Sequence, residues 1–346
     1  MKRATQNDVA KFVGISRSTV QRALNNSGPV EEAIKNKILA AAEELGYKVN
    51  PAAKILAQKK AIKIFAFIVE PKTFKINAEF KWGFDKALQE YEFYDIELKV
   101  FENPSDSAKA QKLQINKILE SSEVIDGIIL HPIFADILSD EFHKIMDRDI
   151  PLISLDSDVG EKNRTMFIGE NYYQGGRIIG DIITKIFTKN SKAIAIVPEK
   201  GFEIYQNRLR GFNDVISANK HIELTSVIEV DRIFNTYDNV YNILKEINDI
   251  DIIYSTLRLE AIADALINLN KSNIFLCGFD FSEGISNYLK TDVVNLTLYQ
   301  RPKLQGYLAA KRLINLIVSN EKAYEDYFVG FDIVTKENLD ISSLLI

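Results

Sequence analysis

From Ala61 onward, short apolar runs rich in β-branched residues alternate with longer amphipathic stretches. The runs have the length of β-strands, and the stretches repeat apolar residues at helical spacing. Repeated strand-helix units favour parallel sheets with helices on both faces. The predicted strands are 62–69, 95–101, 127–132, 152–156, 193–198, 224–230, 251–255, 274–279 and 294–299. The predicted helices lie near 77–92, 107–121, 136–148, 171–189, 204–219, 236–249, 258–270, 282–290 and 302–319.

This many strands exceeds one doubly wound domain, so residues 61–346 are expected to form an α/β domain of two Rossmann-like lobes. We expect a first lobe at about 61–163 plus 296–325. The second lobe is expected at about 164–295 plus 326–346. In such folds a ligand lies at the carboxyl ends of the strands, here between the lobes.

Residues 1–47 have a different pattern, which predicts a small all-α domain of three short helices. Val9 and its apolar neighbours mark one face of a first helix, and Gly14 ends it. Ser16 is a candidate N-cap for a second helix. The pattern of helix, tight turn and helix is that of a helix-turn-helix domain. Residues 48–60, KVNPAAKILAQKK, are expected to form a linker that can become helical from Pro51.

The net charge of −5 conceals a split along the chain. Residues 1–60 carry eleven Lys and Arg against five Asp and Glu, a net charge of +6. The remainder carries 32 basic and 43 acidic residues, a net charge of −11. A basic module of this size suggests a polyanion partner.

Several function classes find no support in the sequence. Cys277 is the only cysteine, and three scattered histidines have no metal-ligand spacing. The chain has no G-x-S-x-G elbow, no GxxxxGK[ST] loop and no apolar stretch of membrane-spanning length. We therefore expect a cytoplasmic protein that is not an enzyme, binds no metal or cofactor, and has no membrane partner.

The second helix is the sharpest local signal. Arg17, Ser18, Gln21 and Arg22 project from it, while apolar residues face the first helix. Such a helix fits the major groove of DNA, where Arg can donate two hydrogen bonds to guanine. A surface helix with solvated charges is the alternative interpretation, because the same geometry occurs in purely structural bundles.

The segment from Thr5 to Leu24, with DVA, G-I-S, T-V and R-x-L, resembles the N-terminal module of LacI/GalR-family transcriptional repressors. The segment LGYKVNPAAKILA resembles the boundary and hinge helix of that family. Downstream, FIGENYYQGGRIIG, RLRGF, GFD, Q-x5-G-x-x-A and VTKEN resemble the family's periplasmic-binding-protein-like effector domain. The resemblance covers essentially the whole chain.

The resemblance implies a homodimeric regulator that reads a pseudo-palindromic DNA operator with two recognition helices. Arg17, Ser18 and Arg22 match base-reading positions. The residues that match phosphate-contacting positions are Thr5, Ser16, Thr19 and Asn25. Gln21 stands where Ser is usual, so the operator sequence cannot be predicted.

In the linker, Leu56 matches the family leucine that wedges into the minor groove when two hinge helices dock. Such a wedge unstacks a base step and bends the duplex. The alternative is a flexible tether in which Leu56 only caps the effector domain. Lys54 stands where the family often has Arg and implies a phosphate contact or a contact between hinge and lobe.

Polar residues at predicted strand ends mark an effector site. Asp156 and Asp280 each end a strand, Arg208 starts the helix after the fifth strand, and Gln300 lies at a lobe crossover. Carboxylates and a guanidinium that converge on a cleft can bracket vicinal hydroxyls. The resemblance assigns Arg208, Asp280, Gln300 and, less specifically, Asp156 to the ligand site. Thr256 stands where the family often has Asn.

The identity of the effector is open at this point. Ile76 and Asn77 stand where the family usually has an aromatic pair. Phe74, Phe80 or Trp82 could instead form an apolar platform for a sugar face. For Trp82, helical spacing favours a core position. A carbohydrate is the effector that the resemblance favours, and a purine-like effector is the alternative. A periplasmic-type sugar-binding protein would share the two lobes but lack the basic helices. The sequence does not fix whether the effector releases or recruits the regulator.

Overall fold

The computed structural model describes residues 4–25, 28–47, 61–70, 76–104, 107–199, 203–231, 236–319 and 325–343. The helices are α1 Gln6–Val13, α2 Arg17–Asn25, α3 Glu32–Glu44, α4 Ile76–Glu90, α5 Ala108–Leu119, α6 Ser139–Met146, α7 Tyr172–Ile186, α8 Glu203–Ile216, α9 Thr236–Glu246, α10 Leu259–Asn268, α11 Glu283–Lys290 and α12 Pro302–Ser319. The strands are β1 Ile62–Glu70, β2 Ile96–Pro104, β3 Gly127–Leu130, β4 Leu152–Asp156, β5 Met166–Glu170, β6 Ser191–Pro198, β7 Ile222–Val230, β8 Ile252–Ser255, β9 Phe275–Phe279, β10 Leu296–Tyr299, β11 Tyr327–Val329 and β12 Asp332–Val334. Short 3-10 helices lie at Ala135–Leu138, Glu161–Asn163 and Lys336–Ser343.

The helices α1 to α3 form a small bundle around an apolar core of their own. Val9, Val20 and Ile38 are completely buried there, one from each helix. Between α1 and α2, Gly14 adopts φ 75°, a left-handed conformation that L side chains disfavour. The predicted helix-turn-helix is therefore confirmed in its elements and in its turn residue.

The strands form two six-stranded sheets, which confirms the predicted two-lobed α/β fold. The first sheet has the order β2-β1-β3-β4-β5-β11, and the second has the order β7-β6-β8-β9-β10-β12. Within the first sheet, β1/β3, β3/β4, β4/β5 and β5/β11 pair in parallel. In the second sheet β12 pairs antiparallel with β10. Apolar side chains of both sheets lie in buried clusters with their covering helices.

The predicted lobe boundaries are wrong at three places. The strand β5 pairs with β4, with Ile153 opposite Met166, and so belongs to the first lobe rather than the second. The strand β10 pairs with β9 and belongs to the second lobe. The strand β11 pairs with β5 and so belongs to the first lobe, although residues 326–346 were expected in the second lobe. The sequence prediction lacked β5, β11 and β12, and the last two are only three residues long.

Candidate functional site

The first helix of the small bundle begins at Thr5, whose side chain and backbone form a capping box with Asp8. The Thr5 backbone N–H donates to Asp8 Oδ2 at 2.8 Å, and the Asp8 N–H donates to Thr5 Oγ1 at 3.3 Å. Such reciprocal bonds satisfy backbone donors that the first helical turn leaves open. Thr5 is exposed, so the same residue lies at the bundle surface, at the N-terminal end of α1.

The second helix presents the predicted base-reading residues to solvent. Ser16 precedes it and accepts a hydrogen bond from the Thr19 N–H at 3.2 Å. Arg17, Ser18 and Arg22 are exposed, and Arg22 Nε donates to the Ser18 carbonyl oxygen at 3.4 Å. Helix α2 thus combines a buried face, a satisfied N-terminus and a row of exposed polar groups, which suits insertion into a DNA groove.

Three of the predicted DNA contacts are not described at the side-chain level. The side chain of Asn25 and all of Lys54 and Leu56 lie outside the described residues. The half-buried Thr19 shares a hydroxyl contact of 2.9 Å with Ser16.

In the two-lobed part, polar residues meet at the carboxyl ends of corresponding strands. In the first sheet, the residues are His131 after β3, Asp156 ending β4 and Glu170 ending β5. In the second sheet, the residues are Thr256 after β8, Asp280 after β9 and Gln300 after β10. The matching strand orders place these residues at equivalent positions of the two sheets.

Arg208 on α8 connects the two sets. Its guanidinium forms an ion pair with Glu170 and donates from Nη1 to the Thr256 carbonyl oxygen at 3.1 Å. The guanidinium carbon also lies 3.9 Å from the ring centroid of Phe279, at the distance of a cation-π contact. Arg208 is 5% exposed and Glu170 is 1% exposed, so this ion pair is enclosed between the lobes.

The two aspartates of the cleft also have polar partners. Gln300 Nε2 donates to Asp280 Oδ1 at 2.7 Å. His131 Nε2 lies 3.3 Å from Asp156 Oδ2. Both aspartates have positive φ, 63° for Asp156 and 78° for Asp280, a conformation that Asp tolerates and that is common at functional sites.

Burial controls the protonation of these groups. It raises the pKa of Glu170 to about 8, against the lowering effect of Arg208 and with further raising by Asp156. Burial also raises the pKa of Asp280. For Asp156, burial opposes ionisation, but the hydrogen bond with His131, the charges of His131 and Arg208 and a hydrogen bond with Gln305 together outweigh it, and the pKa is lowered. The cleft thus brings three carboxyl groups around one guanidinium, which offers donors and acceptors to hydroxyl groups.

Comparisons with known proteins identify both parts of the chain. Residues 65–322 match the family described as periplasmic binding protein domain. Residues 5–50 match the bacterial regulatory proteins of the lacI family. The chain belongs to the LacI family of bacterial regulatory proteins. This family is one of regulators rather than enzymes.

The relatives agree with this assignment. The "Sucrose operon repressor" of Lactococcus lactis subsp. lactis is 27% identical over 318 residues, which cover 90% of this chain and 91% of that protein. The "Probable HTH-type transcriptional repressor ExuR" of Bacillus subtilis is 30% identical over 213 residues, 60% of this chain. The match spans only 59% of the length of that relative. Among solved structures, GanP, a glucose-galactose binding protein from Geobacillus stearothermophilus, has a TM-score of 0.71 at 20% identity and covers 81% of this chain and 99% of that protein. That likeness shows the fold.

The sequence prediction missed two residues of the cleft in this LacI-family chain, Glu170 and His131. Each directly follows or ends a buried strand, the same signal that pointed to Asp156. Glu170 could therefore have been found from the sequence if the run MFIGE had been recognised as a strand. Gln111 on α5 was also missed; its side chain donates to the His131 carbonyl oxygen at 2.9 Å and accepts from the Ile133 N–H at 3.0 Å.

Four sequence expectations need correction. Arg208 lies in the middle of α8, not at its start. Thr256 offers its carbonyl oxygen to Arg208, while its hydroxyl points to the Ile196 carbonyl oxygen. Trp82 is 42% exposed beneath Lys303 rather than in the core, because it lies on the outer face of α4. Phe80 is completely buried and forms no platform, and Phe74 lies outside the described residues.

Among the residues that the structure describes, no group of three or more His, Cys, Asp and Glu side chains is arranged to hold a metal ion. None of the helices described is long and apolar enough to cross a membrane.

Proposed function

We propose that this protein is a homodimeric transcriptional repressor whose affinity for an operator is controlled by a carbohydrate bound between its lobes. The observation that carries the DNA half of the proposal is the exposed row of Arg17, Ser18 and Arg22 on a capped helix with a packed core behind it. In a dimer, two such helices enter successive major grooves, about one helical turn apart. The operator would then be a pseudo-palindrome.

Phosphate contacts fix the register of such a complex. Ser16 and Thr19 at the start of α2, Thr5 at the start of α1 and Asn25 at the end of α2 are proposed to bind backbone oxygens. In the linker, Lys54 is proposed to contact a phosphate or a lobe. Leu56 is proposed to wedge into the minor groove and bend the operator.

The carbohydrate half of the proposal follows from the chemistry of the cleft. Asp156, Glu170 and Asp280 accept hydrogen bonds, Arg208 and Gln300 donate them, and a sugar hydroxyl does both. Glu170 Oε2 and Arg208 Nε are buried without a hydrogen-bond partner among the described residues. The carboxyl groups of Asp156, Glu170 and Asp280 surround the one guanidinium, so no excess positive charge is left for an anion and a neutral polyhydroxyl ligand is favoured. The relatives named as sucrose operon repressors fit this class.

Effector binding would change operator affinity through the lobes. A ligand that contacts both sheets stabilises their closed arrangement, and a regulator whose closed and open states differ in operator affinity responds to it. The size of the response is set by the difference in ligand affinity between the two states.

The test begins with DNA selected from a random duplex pool by the full chain, because the operator is unknown. Operator affinity is then measured by fluorescence anisotropy with and without a panel of neutral sugars, for the native protein and for Asp280→Asn. We expect enrichment of a pseudo-palindrome, a change in affinity with at least one sugar, and loss of that change in the variant. Selection without any common sequence would reject the DNA half, and sugar responses that persist in Asp280→Asn would reject the site.

A further inference from the structure

A cavity of about 580 Å³ lies beside the Arg208–Glu170 ion pair. The loops after β3 and β4 form one wall, at residues 132–136 and 157–161. The start of α7 and the first half of α8 line another part of the cavity, at Asn171, Tyr172, Tyr173, Glu203, Ile204, Asn207 and Arg210. We call this space the side chamber. Glu170 lines it and carries the buried, unpartnered Oε2, so the chamber joins the cleft at a group that still needs a hydrogen-bond donor.

Aromatic rings form much of the chamber lining. Phe134, Tyr173 and Phe328 all contribute. Phe328 is a large apolar side chain, and 55% of it is exposed to solvent. The Tyr173 ring has Arg177 and Arg210 at 5.6 Å and 5.0 Å from its centroid, which holds the ring in place. Fixed aromatic faces with a few polar groups around them are typical of small-molecule sites and pack well against the C–H faces of sugar rings.

The charges of the chamber restrict what can enter. Four exposed carboxylates line it, from Asp136, Asp158, Glu161 and Glu203. Arg210 is the single cationic side chain among the lining residues that the structure describes. Asp158 is paired with Arg164, but the other three leave an excess of negative charge. A phosphate or carboxylate group in this space would be repelled.

The size of the chamber is also informative. At about 30 Å³ per water molecule, it has room for about 20 non-hydrogen atoms, whereas a single hexose has roughly a dozen. We infer that the effector is an uncharged sugar of at least two rings, with one ring beside Glu170 and the next ring against the aromatic lining of the side chamber. This inference rests on the proposed function, since it assigns the ligand class of the same cleft.

The test uses calorimetric titration of the full chain with matched pairs of neutral sugars: glucose with maltose, cellobiose and sucrose, and galactose with lactose. Two variants alter the chamber: Phe328→Ala removes an aromatic face, and Asn207→Trp fills space from α8. Phe93→Ala is the matched control, because Phe93 is 78% exposed and does not line the chamber. Glucose 6-phosphate and sucrose 6-phosphate test the charge argument.

We expect at least one disaccharide to bind tenfold or more tightly than its component monosaccharide. Phe328→Ala should lower that disaccharide affinity roughly tenfold, about the loss of one aromatic contact, and leave monosaccharide affinity unchanged. Asn207→Trp should abolish the disaccharide advantage, and Phe93→Ala should change neither affinity. The phosphorylated sugars should bind more weakly than their neutral forms.

The inference would be overturned if monosaccharides and disaccharides bound with equal affinity, or if the chamber variants lowered both affinities equally. It would also be overturned if the phosphorylated sugars bound more tightly than their neutral forms. A monosaccharide that alone controls operator affinity would overturn it while the proposed function stands. If no sugar binds and none changes operator affinity, both fall.

Discussion

At the scale of single residues, the Glu170–Arg208 pair dominates the cleft. Both side chains are almost completely buried, yet each keeps one polar atom without a hydrogen-bond partner among the described residues. Removing one member of a buried ion pair leaves the other charge uncompensated, which costs several kcal/mol. The buried pair with its unpartnered atoms destabilises the protein in the absence of ligand. We therefore expect ligand binding to raise the free energy of unfolding measurably.

The titration of Glu170 gives a prediction about pH. Its pKa is about 8 in the folded protein against an ordinary value of 4.5, so between these values the folded state keeps a proton that the unfolded state has lost. The free energy of unfolding should therefore fall as pH rises from about 4.5 to about 8. Glu170→Gln cannot titrate and should flatten this part of the profile in urea denaturation at pH 5, 6.5 and 8.

The exposed Glu203→Gln variant is the control for that experiment, and it should keep the slope of the native protein. Parallel pH profiles for native protein and Glu170→Gln would show that other groups set the pH dependence.

At the scale of elements, different residues of α2 and its N-terminus are expected to contribute to DNA recognition and to stability. Arg17 is exposed and contributes no packing, so Arg17→Ala should leave the Tm unchanged but weaken operator binding by about 1–3 kcal/mol, the worth of a bidentate base contact. Ser16→Ala removes the N-cap of α2. It should weaken operator binding and also lower the free energy of unfolding of the bundle by about 1 kcal/mol. Anisotropy with operator DNA and thermal melting measure the two effects.

Lys37→Ala, which removes an exposed charge from α3, is the matched control. It should show at most a uniform, salt-dependent loss across sequences. An Arg17→Ala variant that loses affinity equally for operator and random DNA would exclude base reading by this side chain.

The contact between α7 and α8 is made by glycines. A Cβ atom at Gly176 would lie 1.9 Å from the Arg208 carbonyl oxygen, and one at Gly211 would lie 1.9 Å from the Tyr173 carbonyl oxygen. The two helices can approach this closely only without side chains at these positions. Gly176 is thus explained by helix packing, which also fixes the backbone of Arg208 beside the cleft.

Gly211→Ala tests this explanation. The added methyl group must push α8 away from α7, so we expect destabilisation of about 3 kcal/mol in urea denaturation and a loss of sugar affinity as Arg208 moves. Gly330→Ala is the control, because no atom lies within 4 Å of a Cβ there. An α8 glycine variant with native stability would contradict the close approach.

At the scale of the whole molecule, the two sheets are linked by side chains as well as by the cleft. Tyr299 at the end of β10 donates its hydroxyl to Glu79 on α4, and burial raises the pKa of both groups. The same Tyr299 ring packs against Phe281 with centroids 5.9 Å apart. This link holds an element of the first lobe against a strand of the second, in the arrangement that encloses Arg208.

Tyr299→Phe keeps the ring and removes the hydrogen bond. The closed arrangement should lose about 1 kcal/mol, so we expect effector affinity to fall roughly fivefold and the radius of gyration in solution scattering to rise without ligand. Tyr307→Phe, which removes a hydroxyl bonded to Glu90, is the control. Unchanged effector affinity in Tyr299→Phe would mean that the link does not bias closure.

The sequence by itself determined the helix-turn-helix, the described helices, nine of the twelve described strands, and Asp156, Arg208, Asp280 and Gln300 as candidates for one site. These features depend on local periodicity, on caps and on residues that end apolar runs. Only the tertiary structure decided the lobe boundaries, because a three-residue strand such as β11 is defined by its pairing with β5 and not by its own residues. It also decided that Glu170 faces Arg208 and that Trp82 is exposed. Pairing across crossovers and the burial of charge depend on residues far apart in the chain, which no local pattern contains.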